Sequence, residues 1–190
     1  MSVSTAGATV YAARRTHEAL IRVVDDLTDE QLTRGAGLSS PPIAFHLWHA
    51  SRWADLLQSK IPGMTAELGN RLGEGRQIWD VEALAQQWGL DSSVLGEGSN
   101  GMGMDDDVSA SLPLPGKELL AGYASSVFEA TNRAIAAVDD EQLQASCIDL
   151  YGRETVVGAA VISHLRHLNR HLGMIEALRG VQGLRGTATV

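Results

Sequence analysis

The feature that most restricts how this chain can fold is a pattern written twice along it. Each copy runs from a long stretch with apolar residues three and four apart, through an acidic turn ending in Glu-Gln-Leu, to a glycine-containing loop and a stretch bearing His-Leu-x-His. Glu-Gln-Leu stands at residues 30–32 and 141–143, and His-Leu-x-His at residues 46–49 and 164–167. Three-and-four spacing lines apolar side chains along one helix face, so each copy predicts a helical hairpin that buries that face only against another element. Two such hairpins predict an all-α fold: a four-helix bundle with one long crossover connection between its halves.

Val10, Ala13, Leu20, Val24 and Leu27 mark the first helix, over residues 10–27, and Thr28 caps a short helical turn behind it. Ser39, Ser40 and Pro41 place a capping hydroxyl and an N-terminal proline ahead of a second helix over residues 43–58, which carries His46, Trp48, His49 and Trp53. Leu120, Tyr123, Val127, Ala130, Ala134 and Val138 predict a third over residues 117–138. Thr155 offers a cap to a last helix that runs to about Arg179 and stops at Gly180, leaving residues 181–190 as a tail. The one strand signal is a short extended piece at residues 148–151.

Residues 61–115 differ in texture, glycine-rich at 96–103, acidic at Asp105, Asp106 and Asp107, and helical in spacing only at 80–88. So long a connection in a compact domain is either a disordered insert or a cover over a site, with Trp79, Trp88 and Met102 near what it covers.

Composition narrows the function. With 190 residues, 44% of them hydrophobic and 20% charged, the chain fits one domain over residues 1–190, its core at about 10–180. A formal net charge of -8 with no block of Lys or Arg repels a phosphate backbone, which excludes nucleic acid as the expected partner. Cys147 is the only cysteine, so any metal site must use histidines and carboxylates. Residues 1–9 lack the basic start and apolar core of a signal peptide, and no stretch approaches 18 uninterrupted apolar residues, so no membrane partner and a cytoplasmic location are expected.

Five of the six histidines fall on two predicted helices. His164, His167 and His171, at offsets of zero, three and seven, share one stripe with Ala160 and the neighbourhood of Met174 and Leu178, a stripe expected to face the interior. A lone histidine on an apolar face is ordinarily a hydrogen-bonded core residue, and His17 reads that way. Several buried imidazoles together cannot all be protonated, and a metal ion resolves this by taking one nitrogen from each. His167 and His171, at i and i+4, have the spacing by which one helix gives two ligands to one ion, with His49 or His46 of the facing helix as the third. Two other metal chemistries fail on spacing. No histidine has Glu three positions before it, as di-iron bundles need, and Leu168 stands where a zincin carries its Glu. The tryptophans and methionines read as packing, and Cys147 as a small buried filler.

The stretch from Ile43 to Asp55, the Gly-Arg-Glu-Thr segment at residues 152–155 and the stretch from His167 to Glu176 together resemble the DinB-like (DinB/YfiT) superfamily of metal-dependent four-helix proteins, over about residues 10–179. The resemblance implies one divalent metal, zinc first and nickel next, held by His49, His167 and His171. It also implies a low-molecular-weight thiol as cosubstrate, a small-molecule substrate and a homodimer. His164, and Leu172-Gly173-Met174 after the histidine pair, depart from the simplest family pattern.

Three histidine ligands leave a coordination position open, the arrangement of a catalytic rather than a structural zinc. The leading expectation is therefore a transferase or hydrolase using a metal-activated thiol or water, under a partial lid formed by residues 79–107. The alternatives are a non-enzymatic metal-binding or stress-response protein whose ion locks the helices together, and a dimerising helical scaffold whose histidines are simply hydrogen-bonded.

Overall fold

The structure is a computed structural model and describes residues 4–188. Residues 1–3 of the polar N-terminal stretch and the last two of the expected tail lie outside the described residues. In chain order the helices are α1 (Thr5–Asp25), α2 (Asp29–Thr33), α3 (Ile43–Lys60), α4 (Ala66–Leu72), α5 (Ile78–Val81), α6 (Leu84–Gln87), α7 (Asp106–Ser111) and α8 (Lys117–Ala136). The strands β1 (Ser146–Ile148) and β2 (Glu154–Val156) follow, and then α9 (Val157–Val181). The fold is mostly helical, with one two-stranded antiparallel hairpin in which Cys147 faces Thr155.

The four long helices pack pairwise, α1 on α8 and α9, and α3 on the same two, so the helices of each expected hairpin, α1 with α3 and α8 with α9, do not bury their apolar faces on each other but on the helices of the other half. Helix α3 is the most enclosed of them: residues 43–55 and Leu57 are all buried, so it shows little amphipathic contrast. No helix among the described residues is long and apolar enough to cross a membrane.

Several expected boundaries move, each for a local reason. Helix α1 begins earlier than Val10 because the Ser4 hydroxyl accepts from Gly7 N at 3.0 Å and supplies a cap. Thr28 caps α2 as the sequence predicts, and Gln31 completes a reciprocal capping box with it. Helix α3 takes Pro42 as its N-cap with no side-chain cap bond, so neither Ser39 nor Ser40 has the expected role. Thr155 does not cap α9 either, because it pairs in β2 and Val156 takes the cap position. The hairpin places the extended piece at residues 146–148, and Tyr151 falls in its turn.

The crossover connection is built rather than slack. Helical spacing predicts only residues 80–88, yet four short helices form there, and Ala83 at φ +49 splits the expected one into α5 and α6. Thr65 and Asp105 cap α4 and α7. Such single turns depend on caps and on what they pack against, and periodicity does not register them.

The main fastening is Asp55 of α3, which is 0% exposed. Its carboxylate accepts from Ile78 N and Trp79 N, both at 2.9 Å, from the Tyr123 hydroxyl at 3.0 Å and from Arg52 at 3.1 Å. Arg52, 1% exposed, donates to the carbonyls of Ser99 at 2.8 Å and Gly98 at 3.3 Å, and its guanidinium lies 4.7 Å from the Trp79 ring centre. Burial pushes the Tyr123 hydroxyl well above its ordinary pKa, so it stays protonated and donates.

The described residues after α9 are not a free tail. Arg179, 2% exposed, donates to the carbonyls of Val23 (2.9 Å) and Arg185 (2.8 Å) and to Asp26 (2.6 Å), and Glu176 accepts from Thr187 N at 2.9 Å. Residues 182–187 therefore fold back along α9. The helix also runs through Gly180 to Val181, and the chain turns at Gly183, φ +77. Met174, expected on the inner stripe, is 39% exposed.

Candidate metal centre

Helices α3 and α9 pack against each other, and their histidines meet where they do. The His49 ring centre lies 5.1 Å from that of His167 and 4.6 Å from that of His171, and His167 and His171 are 4.6 Å apart. One nitrogen from each of the three lies within 4.8 Å of the other two, close enough to hold one metal ion. His46 stands outside that group. Its Nδ1 is 3.1 Å from Nδ1 of His171, so one of the two carries the proton and donates to the other.

His164 does not join them, although it shares the stripe. Seven residues of helix separate it from His171 by about 10 Å along the axis, so an equal angle around the helix does not bring equal height. It is 3% exposed, with both ring nitrogens unpartnered. His17 is structural, as expected: its Nδ1 is 2.8 Å from Asn132 Oδ1 and its ring stacks 4.6 Å from that of Phe128.

The donor set fits a divalent ion. Nε2 of His167 is buried without a hydrogen-bond partner, which is costly for an imidazole unless a lone pair meets something positive, whereas Nδ1 of His49 faces the loop at Asn100 and Gly101. Burial pushes the pKa of His49 down to about 3, with His167 adding to it, and that of His171 to about 2, with His49 and His167 adding. Burial, then the charge of Arg170, lowers His167 to about 4. All three are thus neutral at neutral pH, the state in which imidazole binds a metal. Three neutral imidazoles suit zinc and nickel alike.

The surroundings close the site from two sides. Gly101, at φ +88, sits so near that a Cβ there would lie 2.5 Å from His49 Nδ1 and 3.0 Å from Trp48. This is the part of the connection that Arg52 fastens, so residues 98–101 cover the site, whereas Trp79 and Trp88 pack beside Tyr123. On the other side Trp53 lies 5.2 Å from His167 and 6.2 Å from His49, with the tilted ring of Tyr151 5.2 Å from it. Sequence spacing reveals none of Arg52, Asp55, Gly101 or Tyr151 as part of this environment; the only prior signal is the run of ionisable residues on an otherwise apolar helix. Cys147 is 8% exposed, and burial, with the charge of Asp149 adding, raises its thiol pKa.

Gly101→Ala is expected to destabilise the fold by more than about 1 kcal/mol and to weaken metal binding, because the methyl meets His49 and the backbone must hold a left-handed conformation. Urea unfolding and zinc titration of the variant check this, and unchanged values would mean the loop does not press on His49.

A second expectation concerns acid. His17 is 2% exposed and burial lowers its pKa to about 4, below the 6.5 of a free histidine. The unfolded chain therefore binds the extra proton first, and stability is lost as pH falls from about 6.5 to about 4, by on the order of 3 kcal/mol from this residue alone. Urea midpoints at about pH 7.5 and about pH 4.5 measure the loss, and His17→Phe should reduce it.

Comparison with known proteins agrees with this architecture. The sequence model of the DinB superfamily matches residues 12–175. A crystal structure of a conserved protein from Enterococcus faecalis superposes with a TM-score of 0.73 at 16% identity, covering 95% of this chain and 98% of that one. No curated protein matches the chain.

Proposed function

The chain belongs to the DinB superfamily, and on that premise we propose that it is a metal-dependent enzyme, a thiol-dependent transferase or a hydrolase, acting on a small molecule. The observation that carries the proposal is the convergence of His49, His167 and His171, with one nitrogen of each within 4.8 Å of the others. We read the pairwise packing of the long helices as a four-helix bundle with one crossover. Zinc is the proposed ion and nickel the next.

A divalent ion held by neutral imidazoles keeps its double charge and supplies Lewis acidity, which lowers the pKa of a small thiol or a water toward neutrality. The chain's own residues do the rest. His46 holds the His171 ring through its Nδ1, which leaves Nε2 of His171 as the nitrogen free to coordinate. The backbone at Gly101 and the Trp53 ring exclude bulk water from two sides, which strengthens any electrostatic effect within. We also propose a homodimer, on the family resemblance alone, which light scattering tests.

The test uses untagged protein, assayed for bound metal and then for turnover with small thiols and electrophiles or with hydrolysable esters and amides. Activity that follows one equivalent of metal and disappears on chelation is expected; full metal occupancy with no turnover across the panel would sink the enzyme assignment. One observation favours a second reading. His49 and His171 are each only 8% exposed and tie α3 to α9, which suits an ion that locks helices together. A large loss of melting temperature on chelation without any turnover would favour that reading.

A further inference from the structure

A small cavity of about 10 Å³ lies beside His167, between Trp53 of α3, His164 of α9 and the hairpin turn at Leu150 and Tyr151. A space of that size admits one water molecule. The residues around it hold polar atoms that are buried and without a partner outside the metal site: the indole Nε1 of Trp53 and both ring nitrogens of His164. Trp53 is 4% exposed and His164 3%, so bulk solvent does not serve them.

We propose that this cavity is a hydration site, holding one ordered water that accepts a hydrogen bond from Trp53 Nε1–H and bonds a ring nitrogen of His164. The chemistry selects the occupant. Nε1–H of an indole only donates, which excludes a cation, and a neutral imidazole offers one donor and one acceptor. Water, with two of each, serves Trp53 and one ring nitrogen of His164 together.

Tyr151 roofs the site. Its ring centre lies 5.2 Å from that of Trp53, the planes tilted by 38°, and the Arg153 guanidinium lies 4.7 Å over the Tyr151 ring. Asp149 fastens the turn, accepting from Tyr151 N at 2.9 Å and from Arg153 at 2.7 Å. The same turn borders an open cleft of about 860 Å³ on its outer side, which also reaches Lys60 and Cys147. The turn is thus the wall between that cleft and His167.

The proposal does not depend on the metal, because Trp53 and His164 need a partner with or without an ion. High-resolution crystal structures of chelated and zinc-loaded protein are expected to show one water peak within about 2.7–3.2 Å of Trp53 Nε1 and of one His164 nitrogen in both forms. An empty cavity, a side chain turned to pair these atoms, or density with the scattering of chloride would overturn it. In solution, the Trp53 indole proton, assigned by its loss in Trp53→Phe, is expected to show a cross-relaxation peak to a long-lived water, and Tyr151→Ala to weaken that peak by unroofing the cavity. No such peak in the wild-type protein would overturn the proposal, whatever the metal content.

Discussion

Asp55→Ala is expected to cost about 3–5 kcal/mol, because it leaves the Arg52 guanidinium buried with no counter-charge. In the same change Ile78 N, Trp79 N and the Tyr123 hydroxyl lose their acceptor. Replacing the pair by apolar residues of matching size would be milder, since the cost lies in the orphaned charge more than in the lost bonds. Urea unfolding measures the loss, which should appear as a fall in melting temperature of roughly 10 °C. The connection should also loosen first, so limited proteolysis is expected to cut within residues 61–115 of the variant at a concentration that spares the wild type. A variant with the wild-type midpoint and the same resistance to cleavage would show that the connection is held elsewhere.

The second large effect concerns the ion. His49→Ala, His167→Ala and His171→Ala are each expected to reduce the bound metal from one equivalent per chain to near none. His46→Ala should keep the stoichiometry while weakening affinity by about 10–100-fold, the usual effect of removing a group that orients a ligand. Zinc at a thousand times its dissociation constant should stabilise the wild type by about 4 kcal/mol, and the three ligand variants hardly at all. Elemental analysis and thermal melts with and without zinc distinguish these cases. If His46→Ala abolished binding as completely as His49→Ala, the triad would be wrongly drawn.

These two expectations differ in how far they could be seen from the residues alone. The histidine pair on α9 is legible because i, i+4 spacing on one helix fixes both direction and height, so His167 and His171 need no tertiary information to be neighbours. The third position is not legible in that way. His46 and His49 both lie on the predicted inner face of α3, and the family likeness, not the spacing, singled out His49. The packing of α3 on α9 sets His49 within the group and leaves His46 to bond His171. His164 shows that a shared stripe fixes direction only, since its height along the helix sets it apart from His171.

The connection, which the sequence leaves open between an insert and a cover, and residues 182–187, which it reads as tail, owe their order to a common cause. Their order comes from single hydrogen bonds to distant partners: Asp55 to Ile78 and Trp79, Arg52 to Ser99, and Arg179 to Val23 and Arg185. A bond of that kind leaves no periodicity in the sequence. Buried charges on an apolar helix, Arg52 and Asp55 above all, are the trace it does leave, because such groups are not kept inside a protein without partners.

By itself the sequence determined the helical class and the two helices that carry the histidines, since apolar periodicity fixes which faces must be buried, but not which helices pair, because α1 and α3, like α8 and α9, pack across the halves and not within a hairpin. Only the tertiary structure decided which histidines meet, that Gly101 presses on His49, and that the crossover and the chain end are fastened down. Those outcomes depend on how far one helix slides along another and where a loop lands, and both are set by contacts between residues far apart in the chain.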